Sequence, residues 1–153
     1  MNKSLVAMMT IATLSFGIPE IVGAKDNDQC EDHTLKGQYL FSASGYTRAL
    51  PDPTWVPKAI LELLDINGDG TLTTPSVTIA NPFGNTGAIV DRVGNPGTYS
   101  VKDDCTGSLQ FADGNAYRIY LAPDGHEFWM IQTAGVGGVL NVNVLQGIAK
   151  RVR

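Results

Sequence analysis

What most constrains this chain is the way glycine interrupts it. There are 17 glycines in 153 residues. Gly68, Gly70, Gly84, Gly87, Gly94, Gly97, Gly107, Gly114 and Gly125 separate short apolar segments, often beside Asn, Asp or Pro. Glycine inside a helix costs about 1 kcal/mol relative to alanine, while turns use its freedom at positive φ. Such spacing therefore argues for many short strands joined by tight turns. No stretch has both the length and the 3.6-residue period of a good amphipathic helix.

The segments between the glycines alternate. The strand candidates are 38–46, 58–65, 71–80, 88–93, 98–101, 108–111, 116–122, 127–134 and 140–152. The first places Tyr39, Phe41 and Ala43 on one face. The seventh does the same with Tyr117, Ile119 and Leu121, and the eighth with Phe128, Met130 and Gln132. The last puts Leu140, Val142 and Val144 opposite Asn141 and Asn143. One buried and one wet face is the pattern of antiparallel sheet. Residues 57–64 also read as a helix with Pro57 at its first position, so helix and strand both stand there. With short connections throughout, an all-β fold follows: a single antiparallel meander β-barrel of about eight strands, whose closure removes exposed sheet edges.

The first 24 residues read as an address. Lys3 gives a positive start, Leu5 to Phe16 is mostly apolar and uncharged, and Val22-Gly23-Ala24 offers a cleavage site. This is the pattern of a secretory signal peptide, leaving residues 25–153 as the barrel domain. The apolar run falls short of the ~20 residues that span a bilayer, and no second run is long enough. A secreted or periplasmic location is expected. Cys30 and Cys105 are the only cysteines, and in an oxidising compartment a Cys30–Cys105 disulfide is the natural reading. The net charge of −4 gives no basic footprint for nucleic acid.

The sharpest local motif is Asp65-Ile66-Asn67-Gly68-Asp69-Gly70-Thr71-Leu72. Asp65, Asn67 and Asp69 match the first three ligand positions of an EF-hand loop, and Gly70 its invariant glycine. Position 12 is Ser76, which supplies no bidentate carboxylate, and Pro75 opposes a following helix. Asn-Gly and Asp-Gly equally suit a hairpin turn. The turn is the expectation, with no cofactor required; calcium at Asp65, Asn67 and Asp69 is the alternative.

No nucleophile elbow, zinc-binding helix or phosphate loop is present, and no catalytic residue is assigned. Glu62, Arg92, Arg118 and Glu127 fall within strand-like segments whose opposite faces are apolar, so all four are expected to face solvent. An ion pair inside the barrel is the alternative, since buried charge needs a partner and often marks a site. Tyr39, Phe41, Leu61, Leu63, Tyr117, Ile119, Phe128 and Met130 are expected to line the interior, with Gln132 and Gln146 as polar points and Trp55 at the mouth.

Leu35-Lys36-Gly37-Gln38-Tyr39 after a Cys, the Asp65 to Gly70 hairpin, Gly97 to Gly107 around Cys105, and Gly147-Ile148-Ala149-Lys150-Arg151 at the end form a recognisable order. It resembles a group of small secreted bacterial β-barrel proteins similar to lipocalin-like and allene oxide cyclase-like barrels. Gly37-Gln38-Tyr39 departs from the lipocalin Gly-x-Trp signature. The resemblance implies an interior that binds a small hydrophobic molecule, with Tyr39, Phe41, Leu61, Leu63, Tyr117, Ile119, Phe128, Met130 and Gln132 as the contact residues. It also implies an alternative, a cofactor-free isomerase or cyclase in the same cavity; the aromatics themselves read equally as the core of a solidly packed structural or interaction module. A cavity of a few hundred cubic ångströms favours a ligand. A Tyr and a Glu converging inside it favour an enzyme.

Overall fold

The computed structural model describes residues 29–48, 54–81, 88–138 and 143–153. The signal segment and its cleavage site lie outside the described residues. Nine strands run in chain order: β1 (Lys36–Thr47), β2 (Val56–Asn67), β3 (Thr71–Asn81), β4 (Ala88–Arg92), β5 (Gly97–Val101), β6 (Thr106–Phe111), β7 (Ala116–Leu121), β8 (Glu127–Ala134) and β9 (Asn143–Arg151). Residues 57–64, open to a helical reading, lie within the strand β2.

Every pairing is antiparallel, and β1 pairs with both β2 and β9. With β2 paired to β3, eight strands close into a barrel in the order β1-β2-β3-β5-β6-β7-β8-β9. β3 changes partner along its length. Thr71 and Leu72 pair with β5, while Val77 to Asn81 pair with β4, which ends the sheet order. We call the end where β1 stops and β2 starts the upper end.

Alternation fixes what fills the barrel. Tyr39, Phe41 and Ala43 of β1 point inward, as do Ile60, Glu62, Leu64 and Ile66 of β2, Leu72, Thr74 and Val77 from β3, Tyr117, Ile119 and Leu121 of β7, and Phe128 and Met130 of β8. Three edge-to-face ring contacts knit the aromatics: Tyr39 with Phe128 at 5.3 Å, Phe41 with Tyr117 at 6.0 Å, and Phe111 with Tyr117 at 6.0 Å. Such offset geometry aligns ring edges with ring faces, as their quadrupoles prefer. β9 contributes Leu145 and Ala149 inward. Between them a Cβ at Gly147 would collide with the Ser42 carbonyl and the Ala43 side chain, so only glycine lets β9 lie this close to β1.

Two expected faces are corrected. Leu61 is 52% exposed and Leu63 half-buried, because β2 turns its other face inward. Gln146 and Val144 are exposed, because Leu145 takes the inward phase of β9. A one-residue change of phase moves a whole strand face from inside to outside. The Gly135 to Gly138 connection contains a 3₁₀ turn at Val136–Gly138.

Candidate functional site

The lower end of the barrel is sealed. Cys30 and Cys105 form a disulfide across a sequence separation of 75 residues. It brings the 3₁₀ turn Asp32–Thr34 under the barrel floor. The Tyr99 hydroxyl donates to the Asp32 and Leu35 carbonyls at 2.8 and 3.0 Å, and the Val101 N–H donates to Asp32 Oδ1 at 2.6 Å. The Tyr39 hydroxyl donates to the Gly125 carbonyl at 2.6 Å. Arg151 donates to that hydroxyl from Nε at 3.1 Å and Nη2 at 2.7 Å, and from Nη2 to the Thr34 carbonyl at 3.1 Å. Burial raises the Tyr39 pKa, while the Arg151 guanidinium pulls it back. Each polar group named here has a partner, as a buried group must if it is not to cost about 1–3 kcal/mol.

The upper end is built differently. Lys58, Ile60 and Glu62 project from successive inward positions of β2 into a cavity of about 70 Å³. Val77 and Ile79 of β3, Arg92 of β4, Phe111 and Tyr117, and Val136 complete its apolar and charged walls, together with Gly94, Asn95, Asp113 and Asn115. The sheet register explains the company. Glu62 lies opposite Val77, and Val77 opposite Arg92, so all three share one row across β2, β3 and β4. Side chains in one such row share a face.

Glu62 is the group that sequence reasoning placed on the wrong side. It was expected in solvent and is instead 8% exposed inside the barrel. Burial pushes its carboxyl pKa up to about 7, with the Asp113 charge adding; Thr74, Arg92 and Lys58 pull it back. The buried Thr74 hydroxyl beside it makes no hydrogen bond of regular geometry. Burial lowers the Lys58 pKa, and Arg92 lowers it further. Burial, then Glu62 and Asp113, raise the Tyr117 phenol and keep it protonated. Among the described residues, the ion pairs are Glu31 with His33 at 3.1 Å and Glu127 with Lys150 at 3.3 Å. Glu62, Lys58 and Arg92 belong to neither.

Asp113 anchors one wall. Its carboxylate accepts from Asn95 Nδ2 at 2.9 Å, from the Asn115 N–H at 3.0 Å and from Asn115 Nδ2 at 2.8 Å. Gln132 Nε2 then donates to Asn115 Oδ1 at 2.8 Å and to the Ala134 carbonyl at 2.9 Å, leaving the buried Gln132 Oε1 without a partner. Sequence reasoning read Asp113-Gly114 only as a tight turn. Nothing in that local pattern shows that the turn faces the barrel mouth.

The expected ligand residues therefore divide. Tyr117 lines the upper cavity and Gln132 sits behind it. Tyr39, Phe41, Ile119, Phe128 and Met130 are packed into the solid lower interior. Leu61 and Leu63 are on the outer side of β2. Of the remaining charged residues, Arg118 is exposed as expected, Glu127 is half-buried and paired with Lys150, and Arg92 is exposed and lines the cavity. Trp55 is 40% exposed, with the Arg48 guanidinium 5.0 Å from its ring centroid.

The acidic loop forms the β2–β3 turn. Asp69 Oδ1 accepts from the Thr71 N–H at 3.0 Å and its hydroxyl at 2.6 Å, and Asn67 Nδ2 donates to Thr71 Oγ1 at 2.9 Å. Asp65 Oδ1 accepts from Gln38 Nε2 at 2.9 Å. Gly68 and Gly70 hold φ values of 84° and 86°, as such a turn demands. The three candidate calcium ligands thus make hydrogen bonds within the hairpin and to β1.

No protein-family model matches the chain, and no curated protein matches it. No helix among the described residues is long and apolar enough to cross a membrane. The disulfide is the mark of an oxidising environment.

Proposed function

We propose that this protein is a secreted or periplasmic ligand-binding barrel whose site is the upper chamber. The observation that carries this reading is Glu62: a carboxyl inside the barrel, without an ion pair, facing a cavity it shares with Tyr117. A buried charge costs stability unless it is paired, and carboxyls perturbed by burial cluster at sites. The closed antiparallel barrel is compatible with a ligand site in its interior. The cavity size narrows the ligand. About 70 Å³ is room for roughly two waters, well below the ~300–1,000 Å³ of drug-sized sites. The ligand is a molecule of a few heavy atoms, with an apolar part against Ile60, Val77 and Ile79 and a polar group towards Glu62 and Tyr117.

Ligand-observed NMR with propionamide and propionate tests the proposal. At least one binds the wild type, and binding is lost in a folded Ile79→Phe variant that fills the chamber but kept in Leu61→Ser. Binding of neither probe, or equal binding to Ile79→Phe, overturns it.

A second reading is favoured by the Glu62–Tyr117 pair itself. A carboxyl titrating near 7 both takes and returns a proton at neutral pH. A phenol held protonated donates a hydrogen bond to a developing oxyanion. In this reading Glu62 removes a proton beside a carbonyl and returns it at another carbon, an isomerisation with no change of oxidation state. Solvent deuterium would enter butanone faster with the wild type than with Glu62→Gln, the rate rising through about pH 7. Equal exchange by both proteins rules the reading out.

A further inference from the structure

The chamber holds more cationic than anionic character that is unspent. Asp113 is the one fixed anion on its wall, and its carboxylate already accepts three hydrogen bonds from Asn95 and Asn115. Lys58 and Arg92 also line the cavity, from β2 and β4, and neither is ion-paired among the described residues. Lys58 is half-buried, and Arg92, itself exposed, lines the cavity from β4 at the end of the sheet order. Glu62 stands between them in the sheet: two positions along β2 from Lys58, and on the same cross-strand row as Arg92.

We propose that the chamber binds a small carboxylate, held by Lys58 and Arg92, and takes up a proton on Glu62 as it binds. This rests on the ligand-binding reading above and supplies the chemical class of the ligand. Its physical basis is charge balance in a confined space. Lys58 and Arg92 together carry two positive charges, and Asp113 offsets one of them. With Glu62 neutral, one positive charge is left for an entering anion. With Glu62 ionised, that charge is cancelled and the anion meets a second carboxylate in the same cavity. Close like charges at low dielectric disfavour double ionisation. The bound carboxylate therefore raises the Glu62 pKa, and binding and protonation reinforce each other by linkage. A neutral Glu62 also becomes a hydrogen-bond donor to the ligand. The titratable and charged groups facing Glu62 are Lys58, Arg92, Asp113 and Tyr117. Tyr117 stays neutral across the range. The lowered Lys58 pKa weakens the cation as pH rises, in the same sense as Glu62. The walls of Ile60, Val77 and Ile79 limit the apolar part to a short chain.

Calorimetric titration of the folded protein with propionate and with propionamide, at pH 6 and pH 8 and in two buffers of different ionisation enthalpy, tests this. Propionate should bind at least fivefold tighter than its amide at pH 6. Its affinity should fall about tenfold by pH 8, the factor expected when only the Glu62-protonated fraction is competent. Close to one proton should be taken up per propionate at pH 8. Glu62→Gln should flatten the pH dependence while keeping the preference for the acid. Lys58→Met and Arg92→Gln, each checked for native near-ultraviolet dichroism, should erase that preference. Equal, pH-independent binding of amide and acid would overturn the carboxylate assignment and leave the chamber as a neutral-ligand site. Binding of neither would remove both readings.

Discussion

The two ends of this barrel share one set of strands and follow opposite rules. At the lower end the buried hydroxyls of Tyr39 and Tyr99 are spent on carbonyls and Arg151, and a disulfide ties the floor in place. At the upper end Glu62 is buried without an ion pair, Gln132 Oε1 has no partner, and two cations border a cavity. The lower end is what a chain builds for stability. At the upper end the buried Glu62 carboxyl costs stability, and no ion pair among the described residues offsets it. That contrast is why the proposed site lies at the upper end and not the lower.

The comparison can be broken from either side. The largest effect belongs to the lower interior. Phe128→Ala should cost about 3–5 kcal/mol in urea unfolding, the range for a large aromatic removed from a filled core. A loss under 1 kcal/mol would mean that the lower interior is loosely packed. Removing the disulfide with Cys30→Ser and Cys105→Ser should cost about 2–4 kcal/mol. Thermal unfolding with and without reductant provides the parallel measurement.

Glu62→Gln should act in the opposite direction. Below its ordinary pKa of 4.5, Glu62 is protonated whether the chain is folded or not. Between 4.5 and about 7 the unfolded chain releases the proton while the fold retains it. Stability therefore falls across that window, by roughly 2–3 kcal/mol, and this contribution is level above it. The glutamine variant lacks that loss. It should match the wild type near pH 4 and exceed it by about 3 kcal/mol at pH 8. A variant that gains stability and loses the pH response of binding is the expected signature of a functional group kept at a cost. The smallest effect is on the outer wall: Leu61→Ser should change stability by no more than about 0.5 kcal/mol. A large loss there would return Leu61 to the interior.

Much of the fold was legible because its signals are local. Glycines and Asn-Gly or Asp-Gly pairs mark turns, and the period of two marks β1, β7 and β8, whose inward rows Tyr39–Phe41–Ala43, Tyr117–Ile119–Leu121 and Phe128–Met130 are the buried ones. β2 was not legible in the same way. Ile60, Leu64 and Ile66 compete with Leu61 and Leu63, and charge alone chooses the wrong set because Glu62 sits among the first. The choice is made by long-range register, with Leu64 opposite Tyr39 and Glu62 opposite Phe41. β9 fails for a related reason: Gly147 occupies an inward position that carries no apolar signal. The site was legible only in part. Tyr117 and Gln132 were found by alternation. Lys58, Arg92, Asn95 and Asp113 come from separate strands and a turn, and only barrel closure brings them together.

One measurement tests the division between the two ends most directly: a ¹³C NMR pH titration of the Glu62 side-chain carboxyl, assigned with Glu62→Gln, in the free protein and with propionate. The account predicts a midpoint near 7 in the free protein, moving higher as propionate is added. A midpoint near the ordinary 4.5, unmoved by the ligand, would place Glu62 in water and contradict the account.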